Sequence, residues 1–236
     1  DKKLYPEAQI TKRDLALYYA AVGEWMLPHV RGRPLTLLRC PNGWNEECFY
    51  QKKAEGGVNE AISRVEIENG DGSVSLYMMA DSVPAIVALL QMGVLELHPW
   101  GSRAPSLGFP DRIIFDIDPD EGLDFGTTRQ AAADIRDKLA ELGLKTYPMV
   151  TGGKGIHVIA PLKPNLEWPD VKAFCHAFAE KLATDEPDRF TANIRKVNRK
   201  GRMFVDYLRN ERGATAVCPF STRAKQGATC AVPLSW

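Results

Sequence analysis

The 236-residue chain has no Cys-x-x-Cys pair, no long apolar run, no internal repeat, no low-complexity segment and no net charge. Each absence excludes something. A membrane-crossing helix needs roughly 18 or more consecutive apolar residues, and no stretch approaches that. The N-terminal Asp1-Lys2-Lys3-Leu4-Tyr5-Pro6 is followed by no apolar h-region, so it does not read as a signal peptide. The five cysteines, at 40, 48, 175, 218 and 230, are odd in number and scattered. The expectation is no zinc site, no disulfide framework and a reducing, cytoplasmic setting. A neutral total also excludes the uniformly basic surface of many nucleic-acid binders.

What is present is ordinary in amount and uneven in distribution. The chain is 44% apolar and 25% charged, and it is long enough to bury a real core. It reads as one catalytic-sized domain over 1–236, divisible into lobes near 1–105 and 106–236. Residues 189–225 carry ten Lys/Arg against two acids, whereas residues 116–141 carry eight acids against three bases. A basic block with an acidic pocket suits a protein that handles polyanions beside a metal. Two solvated faces of opposite sign give the same count.

Periodicity predicts helices over 11–27, 82–92, 127–142 and 169–183. Thr11 is the expected cap of the first, with Asp14 three residues on; Pro84 opens the second and Gly93 closes it. Strands are predicted over 34–39, 49–52, 74–79, 112–118, 145–150, 156–160 and 203–208. Strands mixed with helices at these spacings indicate an α/β (α+β) fold.

The strongest chemistry lies in Ile113-Ile114-Phe115-Asp116-Ile117-Asp118. Side chains alternate along a strand, so Asp116 and Asp118 share one face while Phe115 and Ile117 point to the other. Like charges on one face of an apolar strand repel, a cost accepted where a cation sits between them. Carboxylate oxygens are the hard ligands that Mg²⁺ and Mn²⁺ take. Phe204-Val205-Asp206-Tyr207-Leu208 offers a third acid in an apolar strand. If the two strands are neighbours, three acids converge as in a two-metal phosphoryl-transfer site, with ions about 3.5–4 Å apart. The plainer alternative is a strand-ending turn at Asp118-Pro119-Asp120, with Asp116 paired to an arginine.

Thr151-Gly152-Gly153-Lys154-Gly155-Ile156-His157 combines glycines with a hydroxyl, a lysine and an imidazole. Such a turn lets backbone N–H groups approach phosphate. It lacks Walker A spacing, and a simple hairpin with an exposed Lys154 and a structural His157 fits it equally. Ser221-Thr222-Arg223 follows downstream, where an arginine could grip a triphosphate through two nitrogens.

In order, Phe115-Asp-Ile-Asp-Pro119, Thr151-Gly-Gly-Lys-Gly-Ile-His157, Phe204-Val-Asp-Tyr-Leu-Arg-Asn210, Arg212-Gly-Ala-Thr-Ala-Val217 and Ser221-Thr-Arg223 resemble the polymerase domain of bacterial ligase D. That family belongs to the archaeo-eukaryotic primase superfamily and acts in non-homologous end joining. The resemblance covers nearly the whole chain. It implies a primase-like catalytic core with an RRM-like antiparallel sheet and flanking helices. It implies template-directed nucleotide addition at primer ends and gaps, ribonucleotides preferred, with Mn²⁺ (or Mg²⁺) held by Asp116, Asp118 and Asp206. By position, Lys52, Thr151, Lys154, His157, Ser221 and Arg223 match the nucleotide pocket. Lys2, Lys12, Phe49, Tyr50, His98 and Arg199 match the DNA side, the lysine pair on a 5′-phosphate and the aromatic pair on a template base. The first lobe is then the DNA-binding part and the second the catalytic part. Implied partners are DNA with a 5′-phosphorylated end or gap, NTP or dNTP, a Ku-type end-binding protein and a DNA ligase module, in a cytoplasmic, nucleoid-associated setting.

Two departures stand out. Threonine at 151 replaces the family's usual serine and keeps the hydroxyl, and Tyr50 replaces a frequent phenylalanine and can still stack. His29 and His176 receive no role. Competing readings are a stand-alone primase-polymerase in repair and a non-catalytic DNA-end-binding module.

Overall fold

The computed structural model describes residues 2–236. Two compact units form: Asp1–Pro105 with Thr215–Ala231, and Ser106–Ala214 with Val232–Trp236. Residues 215–231 therefore belong with the first unit, not with the second lobe to which their place in the chain assigns them. Among the described residues, no helix is long and apolar enough to cross a membrane.

The first unit opens with strands β1 (Lys3–Tyr5) and β2 (Ile10–Thr11), which pair antiparallel and lead into helix α1 (Lys12–Val30). The expected capping box is present, with the Asp14 amide on Thr11 Oγ1 and the Thr11 amide on Asp14 Oδ2. The helix runs past the predicted end at 27, because Leu27 and Val30 remain on its buried face. Strands β3 (Leu35–Arg39), β4 (Phe49–Gln51), β5 (Ser63–Glu68) and β6 (Val74–Met79) follow, then helix α2 (Val83–Leu89) and strand β7 (Val94–Pro99). Ser82 caps α2 and Gly93 ends the following turn in the left-handed region, at φ 75°. The sheet order is β4-β3-β7, all antiparallel, and β5–β6 is a separate hairpin. Helix α1 packs on α2 at Gly23, where a Cβ would stand 2.7 Å from a Val83 methyl carbon.

One expectation is overturned in this unit: Cys40 and Cys48 form a disulfide. The strand register explains it. Arg39 pairs with Phe49 at the end of β3 and β4, so 40 and 48 are the next facing positions. The spacing looked scattered only because the intervening loop hid the pairing. Cys175, Cys218 and Cys230 are free.

The second unit is built on strand β8 (Arg112–Pro119), with helix α3 (Phe125–Glu141), strands β9 (Tyr147–Val150) and β10 (Ile156–Pro161), helix α4 (Trp168–Asp185) and strands β11 (Phe190–Thr191), β12 (Met203–Asp206) and β13 (Val232–Pro233). The sheet order is β11-β12-β8-β10-β9-β13. Pairing is antiparallel except at the β11–β12 edge, which is parallel. Ile113, Phe115 and Ile117 join Ala131, Ile135 and Leu139 of α3 and Val171, Cys175 and Ala179 of α4 in one core. Each large apolar side chain so buried contributes about 1.5–3 kcal/mol, which fixes the face that β8 turns to the helices. Helix α3 begins two residues before the predicted start, because Asp124 caps it by accepting from the Thr127 amide at 2.7 Å. Strand β12 stops at Asp206 rather than 208, because the Leu208 amide turns back to Asp206 Oδ1 at 2.8 Å.

Candidate active site

With Phe115 and Ile117 committed to the core by burial, β8 leaves Asp116 and Asp118 on its opposite face. Register then pairs Asp116 with Asp206 on β12 and with His157 on β10. His157, Asp116 and Asp206 form one row across three adjacent strands, with facing Cβ atoms about 4.5–5.5 Å apart. Asp118 stands one step further along the same face. His157 Nε2 lies 3.5 Å from Asp116 Oδ1.

Two arginines answer these acids. Arg209 Nη2 lies 3.1 Å from Asp206 Oδ2 and 3.2 Å from Asp116 Oδ2. Arg199 Nη1 lies 3.7 Å from Asp118 Oδ2, with its guanidinium 3.8 Å above the Phe204 ring. The arginine partner of the plainer reading thus exists, and it coexists with the convergence of the three acids. Burial pushes the Asp116 carboxyl up, but His157 and Arg209 outweigh it and the net shift is downward. Asp118 goes up, through burial and the adjacent Asp116 charge, against the pull of Arg199. Asp206 also goes up, chiefly through burial, with Arg209 opposing and Asp116 adding to the rise. Positive charge at the row satisfies Asp116 and leaves its two neighbours undercompensated.

The turn between β9 and β10 lies against this row. Thr151 Oγ1 donates to Gly155 O at 3.1 Å and accepts from the Gly153 amide at 3.3 Å, so its hydroxyl shapes the loop. A Cβ at Gly155 would stand 3.0 Å from Ile117 O and 3.2 Å from Asp116 Oδ1, so glycine lets the turn approach the acids without pushing them aside. Lys154 is exposed beside it.

The first unit carries a second group. Ser221 is fully buried: its oxygen accepts from the Leu97 amide at 2.9 Å and its proton goes to Thr222 O at 3.0 Å. It anchors the segment that presents Arg223. Three tyrosines hold the same segment, with Tyr5 on Arg223 O at 2.7 Å, Tyr18 on Phe220 O at 2.9 Å and Tyr19 on Thr222 Oγ1 at 2.9 Å. Arg223 Nε lies 3.1 Å from Glu96 Oε1, and His98 Nε2 lies 2.8 Å from Glu96 Oε2. Phe49 and Tyr50 are 44% and 62% exposed, so neither is a core residue. Arg39 sits over the Phe49 ring and Tyr50 meets His98 edge-on. Lys52 is exposed just past β4. Lys2 and Lys12 are joined by the Lys12 amide on Lys2 O at 2.8 Å, and their ammonium groups reach Asn42 Oδ1 and Gln91 O.

Sequence reasoning missed three residues. Arg209 and Asn210 lay in a quoted motif without a role; Asn210 brackets the Ile114 peptide, accepting from its amide and donating to its carbonyl, both at 2.8 Å. Glu96 carried no signal beyond its nearness to His98. Among the described residues, no three His, Cys, Asp or Glu side chains stand as an assembled metal centre. The donor set nonetheless fits a hard divalent ion: three carboxylates on one face of adjacent strands, Asp116 and Asp206 in one row and Asp118 a step along, with Asp118 and Asp206 undercompensated.

A family model described as "LigD, primase-polymerase domain" matches residues 11–236. The "Multifunctional non-homologous end joining protein LigD" of Pseudomonas aeruginosa is 37% identical over 229 residues, covering 97% of this chain and 27% of that protein. The "Bifunctional non-homologous end joining protein LigD" of Bacillus subtilis is 30% identical over 237 residues, 100% of this chain and 38% of that protein. The chain thus spans between a quarter and two fifths of these relatives' length. Among solved structures, the "Polymerase Domain from Mycobacterium tuberculosis Ligase D in complex with DNA" superposes with a TM-score of 0.94 at 32% identity, covering all of this chain and 85% of that one.

Proposed function

The chain belongs to the family of LigD primase-polymerase domains, and from that premise we propose that it is a template-directed nucleotidyltransferase, dependent on a divalent metal, acting in non-homologous end joining. It extends primer 3′ ends and fills gaps at double-strand breaks, with ribonucleotides preferred. The observation that carries this reading is the His157–Asp116–Asp206 row with Asp118 beside it.

Asp116, Asp118 and Asp206 would hold Mn²⁺ or Mg²⁺, which when bound neutralises phosphate charge and eases deprotonation of the primer 3′-hydroxyl. His157 orients Asp116 through their 3.5 Å contact. The 151–155 turn offers backbone amides and the Lys154 ammonium to phosphate oxygens, and Gly155 lets that turn lie close to the acids. Arg223 and Lys52 add positive charge for the triphosphate. On the DNA side, an exposed ring of Phe49 or Tyr50 stacks on a template base, His98 and Arg199 contact the strand, and Lys2 with Lys12 takes a 5′-phosphate. A Ku-type protein, a ligase module and a nucleoid setting follow from this role.

The test is extension of a gapped, 5′-phosphorylated duplex with NTPs and with dNTPs, under Mn²⁺ and under Mg²⁺. Asp118→Ala, at the most exposed of the three acids, should lose about a hundredfold or more in rate while keeping DNA affinity. Extension at the wild-type rate by that variant sinks the metal assignment, and equal use of NTPs and dNTPs removes the ribose preference.

A further inference from the structure

Glu96 is a carboxylate whose side chain is only 5% exposed. An anion so placed is costly unless each oxygen is answered. The answers are divided by oxygen. Oε1 accepts from the Ala224 amide at 2.7 Å and forms an ion pair with Arg223, whose Nε lies 3.1 Å away, and Oε2 lies 2.8 Å from His98 Nε2. Strand geometry makes the double contact natural. Glu96 and His98 are two apart on β7 and share a face. Leu38 registers with Glu96 on one side and Tyr50 on the other, which puts Tyr50 in the same row, and the Tyr50 ring stands 5.9 Å from His98. Arg223 arrives from the segment pinned by Tyr5, Tyr18 and Tyr19.

We propose that Glu96 is a positioning residue that fixes Arg223 for the triphosphate of the incoming nucleotide and His98 for the nucleic acid, coupling the two through one carboxylate. The proposal rests on the polymerase reading above. Burial alone would raise the Glu96 carboxyl; the His98 contact and the Arg223 charge outweigh it and hold it at about 2. Glu96 is therefore an anion at every working pH, as a group that holds a guanidinium must be.

The experiment measures KM for NTP, kcat and gapped-DNA affinity for Glu96→Gln, Arg223→Lys and the double variant, with thermal melting as the folding control. Glu96→Gln should raise KM for NTP about tenfold with kcat within about threefold, and weaken DNA binding in the same variant. In the Arg223→Lys background, Glu96→Gln should add less than about twofold, because the two act through one contact. A merely structural carboxylate would lower the active fraction, so kcat would fall at constant KM; that result, or full additivity, overturns the proposal. If Glu96→Gln does not fold, Glu96→Asp keeps the charge and retracts it from both partners. A raised KM in Glu96→Asp supports the proposal, and a wild-type KM overturns it. Absence of extension by the wild-type chain would refute the polymerase reading instead, so the two failures are distinguishable.

Discussion

At the residue scale the site is held by contacts tight enough to predict single changes. Gly155→Ala places a methyl 3.0 Å from a β8 carbonyl and 3.2 Å from Asp116 Oδ1. The strand carbonyl is backbone and the carboxylate belongs to the acid row, so making room shifts the turn or the acids by a few tenths of an ångström. Extension should fall about tenfold or more, with folding retained as judged by melting; unchanged extension would show that the turn and the acids work independently. Glu96 gives a pH prediction. Its folded pKa, about 2, lies below the ordinary 4.5. Its stabilising contribution is therefore complete above about pH 4.5 and is lost as pH falls through about 2. It is on the order of 3 kcal/mol, and Glu96→Gln should flatten the acid limb of stability between those values in urea titrations. The three acids and the glycine turn were legible in the sequence because their chemistry is local: like charges two apart on an apolar strand, glycines clustered beside a lysine. Arg209 and Glu96 were not, because each matters only through partners made by folding, Asp116 at 93 residues' distance and Ala224 at 128.

At the element scale, periodicity located all four helices and seven strands but missed the six-residue strands β5 and β7, the second buried along nearly its whole length so that no alternation shows, and the other errors also have physical causes. Helix ends moved to wherever a cap or a buried side chain put them: Asp124 for α3, Val30 for α1. Strands β1, β2, β11 and β13 are two or three residues long, too short for any alternation to show. The cysteines are the sharpest case. Read as spacing they exclude a framework; read through the β3–β4 register they face each other. The bond closes a loop of eight residues, so in the chain-entropy picture it stabilises by about 2–3 kcal/mol. Protein unfolded without reductant should titrate three thiols, five cysteines less the bonded two. Cys48→Ser should lower the urea midpoint by the corresponding amount, and dithiothreitol should do the same to the wild type but nothing further to the variant. Five thiols in protein purified under oxidising conditions would mean that the β3–β4 register is wrong at its end.

At the scale of the whole molecule, a net charge of zero argues against the proposed DNA role only if charge is averaged. Counterion release depends instead on how many phosphates are met by uncompensated cations. Lys2 and Lys12 qualify, because the acceptors of their ammonium groups, Asn42 Oδ1 and Gln91 O, are neutral and leave both charges intact. Arg209 does not, since Asp116 and Asp206 already surround its charge. Binding to gapped DNA should therefore weaken linearly with salt on logarithmic axes. Lys2→Ala combined with Lys12→Ala should make that slope shallower by about 1.8, two contacts at about 0.9 each. If the two lysines form the 5′-phosphate site, the double variant should also bind phosphorylated and dephosphorylated gaps equally, where the wild type prefers the phosphate. A shallower slope with the preference intact would make the lysines ordinary backbone contacts and place the 5′-phosphate elsewhere. An unchanged slope would remove them from the DNA side altogether.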